Sequence, residues 1–173
     1  PKGRYCIEEN LLAYHDIPFY MKQSKDLDNA CGLIAGLHVI GNNKELTLKE
    51  GILKRFFKMT ETLSDEERAK FLENSNELKT KHLIYSQIGQ SQVDGINNTN
   101  SVTIARPVVH HFISFVRIGN DLVELDGTLK GPVVIKKDIC ENELLDATIE
   151  EIRKRISIGV IGEDISVIFM TYA

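Results

Sequence analysis

An α+β fold is predicted by three stretches of this chain of 173 residues. "HHFISFVRIGNDLVELDG" places two strand-like runs around Gly119-Asn120, the signature of a tight antiparallel hairpin. "CGLIAGLHVI" is apolar on every helical face and reads as a buried helix. "NELLDATIEEIRKRI" is apolar at helical spacing and reads as an amphipathic one. Helices mixed with an antiparallel hairpin define α+β.

The elements follow in order. A short helix is expected near Glu8–Tyr14, then an extended approach through "IPFYMKQ". Asp28 or Asn29 can cap the buried helix, since their side chains accept the free N–H groups of a first turn. Cys31 then falls second or third in that helix, which stops near Gly41-Asn42. Residues 47–59 and 64–79 read as two surface helices, the second opened by the capping box Ser64-x-x-Glu67. Residues 80–107 are rich in Asn, Ser, Gln, Thr and Gly without sustained periodicity, so a long loop is expected there. After the hairpin come a strand in "VVIKK", the amphipathic helix, and a terminal strand in "ISVIFMTYA". One domain, 1–173, is expected from the length.

Composition narrows the function classes. No apolar run approaches 18 residues, so no membrane helix is expected, and "PKGRYCIEEN" is no signal peptide. Cys6, Cys31 and Cys140 are an odd count with no CxxC, which fits neither a disulfide scaffold nor a zinc ribbon and points to a reducing, cytoplasmic setting. A net charge of −4 argues against a nucleic-acid partner. No cofactor or metal is indicated, and oligomeric state is not readable.

The chemistry gathers on three residues. At a helix N-terminus the unpaired N–H groups favour thiolate over thiol, so Cys31 is a candidate nucleophile beside its reading as a core cysteine. With a two-residue turn at Gly119-Asn120, opposed residues sum to 239. Asp126 then faces Ile113, and His111 lies two residues away on the same face, within reach of the carboxylate. His110 points to the other face by strand parity. Glu124 shares the face of Asp126 and could compete for His111, or be a paired structural carboxylate. His38 in the buried helix reads as packing, and His15 and His82 as solvated. Cys31, His111 and Asp126 together would form a Cys-His-Asp triad.

"NACG" before an apolar helix, "HF" opening a strand and "ELDG" closing the next resemble the ubiquitin carboxyl-terminal hydrolases, as do "SDEERAKFLEN" and "IFMTYA". The resemblance runs from about Ile17 to Ala173. It implies a papain-like fold, a mainly antiparallel sheet flanked by helices, with 80–107 as a crossover loop that admits small or flexible leaving groups. It implies a thiol hydrolase acting at the C-terminal glycine of ubiquitin or a ubiquitin-like protein. Cys31 matches the nucleophile, His111 the base and Asp126 the residue that orients it. Gln23 in "FYMKQ" matches the oxyanion donor.

Two departures stand out. Gln23 lies eight residues before Cys31, two more than the family spacing, and strict counting would select Lys25. Either "SKDLD" loops outward or the oxyanion hole is altered. The family also has further helices and a core strand ahead of the point where this sequence starts, so exposed apolar sheet surface is expected. A ubiquitin-binding module with impaired catalysis and another papain-like amidase are the alternative readings.

Overall fold

The computed structural model describes residues 17–23, 26, 30–43, 48–88 and 111–170. Five helices and three strands occur among them: α1 (Cys31–Asn42), α2 (Ile52–Thr60), α3 (Asp65–Asn74), α4 (Asn76–Ile88), β1 (Ser114–Ile118), β2 (Asp121–Leu125), β3 (Val133–Lys136) and α5 (Leu144–Ser157), the last preceded by a 3-10 turn at Glu141–Glu143. The expected α+β class holds.

The strands form one antiparallel sheet in the order β1-β2-β3. Ser114 faces Leu125, Phe115 faces Glu124 and Val116 faces Val123, so opposed residues sum to 239 as the hairpin turn required. Gly119 has φ +61°. A positive φ at the first central residue is what a type II′ hairpin turn demands, and glycine adopts it without a Cβ clash.

Residues 17–23 run extended between the helices and this sheet, and their side chains alternate. Phe19 and Met21 enter a cluster with Ala30, Ile34, Leu37, Phe56, Ala69, Leu72 and Leu78 from the helices. Tyr20 turns the other way, into a cluster with Ile17, Val116, Val123 and Leu125. On the far face of the sheet α5 buries Ala147 against Leu122 and Ile139. Each such large apolar side chain taken from water stabilises the fold by about 1.5–3 kcal/mol.

Helix α1 is half-buried or buried on nearly every side, with only Gly32 exposed. Gly41 lets the Phe19 ring lie against it: a β-carbon there would stand 2.6 Å from the ring. The Ser64 capping box forms as expected, with the Ser64 N–H donating to Glu67 at 2.8 Å.

Several boundaries differ from the sequence expectation. The helix expected over 64–79 is two, because Ser75 is extended (ψ 97°) and its hydroxyl accepts from the Leu78 N–H to start α4. That helix reaches Ile88, so 80–88 is not loop; buried Leu78 anchors its first turn, and Thr80, Lys81, Leu83 and Ile84 beyond it are exposed. The remainder of the expected loop, 89–107, lies outside the described residues, as do Glu8–Tyr14 and the caps Asp28 and Asn29. Helix α2 starts at Ile52 rather than 47. The terminal strand is absent among the described residues: 163–170 carry no ladder, and Ile165, Val167, Ile168, Phe169 and Met170 are exposed. Strand propensity alone does not make a strand; no described segment offers this one a backbone partner.

Two glycines of α1 give opposite forecasts. A β-carbon at Gly36 meets nothing within 4 Å, so Gly36→Ala should stabilise by about 0.5–1 kcal/mol through helix propensity. Gly41→Ala should destabilise by about 1–3 kcal/mol, because the new methyl meets Phe19. Urea unfolding of both variants checks this; shifts of the same sign would contradict the packing described.

Candidate active site

The end of the hairpin carries the first functional contact. Beyond the ladder, His111 Nε2 lies 2.9 Å from Asp126 Oδ1. The diagonal geometry expected from the register therefore brings the pair together. Thr128 holds the same Asp126 oxygen, its N–H donating to Oδ1 at 2.9 Å and its hydroxyl at 2.8 Å. An Asx turn of this kind is the usual behaviour of Asp before Gly-Thr in a turn. It was legible in "DGT", and sequence reasoning passed over Thr128.

The charges reinforce one another. The hydrogen bond to Asp126 raises the His111 pKa above its ordinary value, against partial burial, with the fields of Asp126 and Glu124 adding to the rise. Burial pushes Asp126 up, but the bonds from His111 and Thr128 outweigh it and leave the carboxyl below its usual range. Glu124 does not compete for the imidazole. It is 3% exposed and bound by Arg155, which also donates to Glu151 at 2.8 Å and lies over the Phe115 ring.

Cys31 is the first residue of α1, one place earlier than the sequence suggested, and is partly exposed. Ala30 precedes it, and the Ala30 carbonyl accepts the first helical bond, from Ile34. The N–H groups of Cys31 and the next two residues thus have no partner within the helix. Helix α1 packs on β1. Phe112, beside His111, lies next to Gly32, beside Cys31: a β-carbon on Gly32 would stand 3.6 Å from the Phe112 ring. The chain neighbours of the thiol and of the imidazole therefore lie close to one another.

Gln23 comes from the extended segment, and its N–H donates to the Gly127 carbonyl at 2.8 Å. Gly127 must be glycine, because a β-carbon would meet the Gln23 nitrogen at 2.6 Å. The glycine of "ELDG" is thus what lets the segment bearing Gln23 lie against the turn bearing Asp126. Tyr20 ties the same two pieces, its hydroxyl donating to the Asp126 carbonyl at 2.8 Å. Nothing in the spacing of Tyr20 announced this. Cys140 is exposed near the start of α5, and Cys6 and His110 lie outside the described residues. Among the described residues no group of His, Cys, Asp and Glu could hold a metal ion. No described helix is long and apolar enough to cross a membrane.

A helix-start cysteine, a His–Asp pair at a hairpin end and an amide-bearing segment held against the turn of that pair are the parts a thiol hydrolase uses. The sequence profile of ubiquitin carboxyl-terminal hydrolase, family 1, matches residues 8–157, and the chain belongs to that family. It is 38% identical over 115 residues to a ubiquitin carboxyl-terminal hydrolase of Drosophila melanogaster, covering 66% of this chain and 46% of that protein. It is 36% identical over 122 residues to ubiquitin carboxyl-terminal hydrolase 3 of Arabidopsis thaliana, covering 69% and 47%. The chain spans about half the length of the curated relatives it matches. Its fold is similar to that of Trichinella spiralis UCH37 bound to ubiquitin vinyl methyl ester, with a TM-score of 0.59 at 21% identity, over 90% of this chain and 57% of that one.

The His111–Asp126 pair has a definite pH signature. His111 is raised above 6.5, so its contribution to stability is full below 6.5 and fades as pH rises through the folded value. Asp126 is lowered below 3.8, so its contribution is full above 3.8 and fades as pH falls through the folded value. An NMR titration of His111 should give a pKa above that of free histidine, falling on Asp126→Asn. An unchanged His111 titration in that variant would mean the pair does not form in solution.

Proposed function

We propose that this chain is the catalytic part of a deubiquitinase, a thiol hydrolase that cleaves amide, ester or peptide bonds after the C-terminal glycine of ubiquitin or a ubiquitin-like protein. The observation that carries the reading is the His111–Asp126 contact at the hairpin end, alongside a cysteine that begins α1. The nearness of Gly32 to Phe112, the residues next to Cys31 and His111, supports bringing those pieces together.

The steps follow from the roles of these groups. His111 uses Nε2 on Asp126, which leaves Nδ1 for the thiol. Cys31 gives its proton to His111 and the thiolate attacks the glycine carbonyl carbon. The oxygen that gains charge is met by the Cys31 backbone N–H and the Gln23 side-chain amide. As the intermediate collapses, the C–N bond breaks and the leaving amine takes the proton from His111. Water, deprotonated by His111, then cleaves the thioester and frees the carboxylate. Asp126 keeps the imidazole in one tautomer and balances its charge without taking the proton.

Gln23 fits this role despite its shifted spacing. Phe19 bonds to Asn42 and Met21 to His38, so the extended segment advances two residues for every four of α1. The same step carried on to Gln23 brings it level with Ile34. From there Cys31 is three residues back, about 4.5 Å along the axis, within reach of an extended glutamine. The Trichinella spiralis protein of similar fold was solved bound to a ubiquitin derivative, which supports the substrate class.

The test is hydrolysis of a ubiquitin C-terminal fluorogenic amide. Cys31→Ser should abolish turnover with the fold intact. Gln23→Ala should lower kcat by about 100- to 1000-fold with little change in ubiquitin affinity, and Lys25→Ala should change it little. If Lys25→Ala is the damaging variant, strict spacing is the better guide and Gln23 is not the donor. Tight ubiquitin binding with no turnover would make the chain a binding module instead.

A further inference from the structure

His38 is the one buried titratable side chain of α1, and the mechanism above does not use it. It is 0% exposed and seven residues after Cys31, two turns down the same helix. Its Nε2 lies 3.1 Å from the Met21 nitrogen and 3.2 Å from the Met21 carbonyl oxygen. Its ring stacks on Tyr20 at 5.1 Å, the two planes 11° apart. Its Nδ1 has no hydrogen-bond partner among the described residues. One turn further on, Asn42 bonds both groups of Phe19: Oδ1 accepts from the Phe19 N–H at 3.1 Å and Nδ2 donates to the Phe19 carbonyl at 2.6 Å. Two polar side chains on the nucleophile's helix thus stand in for a neighbouring strand.

We propose that His38 is a positioning residue for the oxyanion hole: it fixes the height of the 19–23 segment against α1, and so the placing of Gln23 relative to Cys31. The proposal rests on the hydrolase reading given above. Packing alone does not account for histidine here. A Phe or Leu would fill the space at lower desolvation cost, and a buried imidazole with one unpartnered nitrogen is destabilising. What histidine supplies is a partner for the Met21 backbone at a fixed distance from the helix axis. Met21 is two residues from Gln23, so a shift of the one carries the other. The imidazole does this as a neutral group, since burial lowers its pKa to about 4, with the Met21 and Leu125 backbone and Asp126 opposing that shift and Arg68 adding to it.

The substitutions that separate positioning from packing differ in reach. Glutamine can set its amide where Nε2 lies, while asparagine is too short and phenylalanine has no polar atom. His38→Gln should keep kcat on the ubiquitin amide within about threefold of wild type. His38→Asn should lose roughly 10- to 100-fold in kcat at unchanged KM, a part of what loss of the donor itself costs. In His38→Asn combined with Gln23→Ala, the loss should be no greater than for Gln23→Ala alone. Hydrogen exchange supplies a readout that needs no activity. The Met21 and Gln23 amides should lose protection in His38→Asn and His38→Phe, while Ile34 and Leu37 on the same helix keep theirs. Wild-type kcat in His38→Asn, losses that multiply with Gln23→Ala, or unchanged protection at Met21 and Gln23 would each overturn the proposal. A wild-type chain that hydrolyses no ubiquitin derivative would instead defeat the hydrolase reading, and the exchange measurement would still decide whether His38 holds the segment.

Discussion

The site depends on one constraint: residues 19–23 are extended and largely buried, yet no described strand of the sheet pairs with them. Buried backbone N–H and C=O groups must find partners, and here side chains and a turn supply them. Asn42 takes both polar groups of Phe19, and His38 Nε2 lies within bonding distance of the Met21 N–H and carbonyl and takes one of them, according to its tautomer. Arg68 donates to the Tyr20 carbonyl at 2.8 Å, the Lys22 N–H donates to the Asp65 carbonyl at 3.2 Å, and the Gln23 N–H donates to Gly127. The segment is thereby fixed to α1, α3 and the turn after β2 at once. Two of those elements, α1 and the turn, carry Cys31 and Asp126. Because each hydrogen bond contributes only about 1 kcal/mol net, their value lies in the height and direction they impose more than in stability.

A second constraint is electrostatic. The hairpin brings two acidic residues, Glu124 and Asp126, near one histidine, and the site needs only one of them. Helix α5 removes the other. Arg155 meets Glu124 and Glu151 in a nearly buried triad stacked on Phe115, so the Glu124 charge is engaged on the far side of the sheet. Desolvation would lower the Arg155 pKa, but the bond to Glu124 more than offsets it and holds the guanidinium charged. Removing one member of a buried set like this leaves an uncompensated charge, which costs about 3–5 kcal/mol. Among the described residues, Asp126 is then left with Thr128 and His111 as side-chain partners of its carboxylate.

Much of this was legible because it depends on local chemistry. The Gly119-Asn120 turn set the register, and the register set the meeting of His111 with Asp126. The buried helix and the Ser64 box were equally local signals. What escaped depends on contacts distant in sequence. His38 reads as packing until Met21 is seen beside it, and Asn42 reads as a helix stop until Phe19 is. The run 64–79 reads as one helix, yet the extended backbone and capping hydroxyl of Ser75 divide α3 from α4. The terminal run "ISVIFM" has the composition of a strand, but a strand exists only where a ladder partner lies alongside it. The stretch from residue 80 onward misled in its first part because Thr80, Lys81, Leu83 and Ile84 of α4 are exposed, so no buried apolar stripe sets a helical period there.

The central claim is that Cys31 is the nucleophile of a site completed by His111, Asp126 and Gln23. It is tested most directly by incubating the chain with ubiquitin vinyl methyl ester, an electrophile at the ubiquitin C-terminus, and mapping the adduct by peptide mass spectrometry. The account predicts a single adduct, of one ubiquitin per chain, on the peptide containing Cys31, with Cys6 and Cys140 unmodified. An adduct on either of those cysteines, or none at all under conditions where the chain is folded, would contradict it.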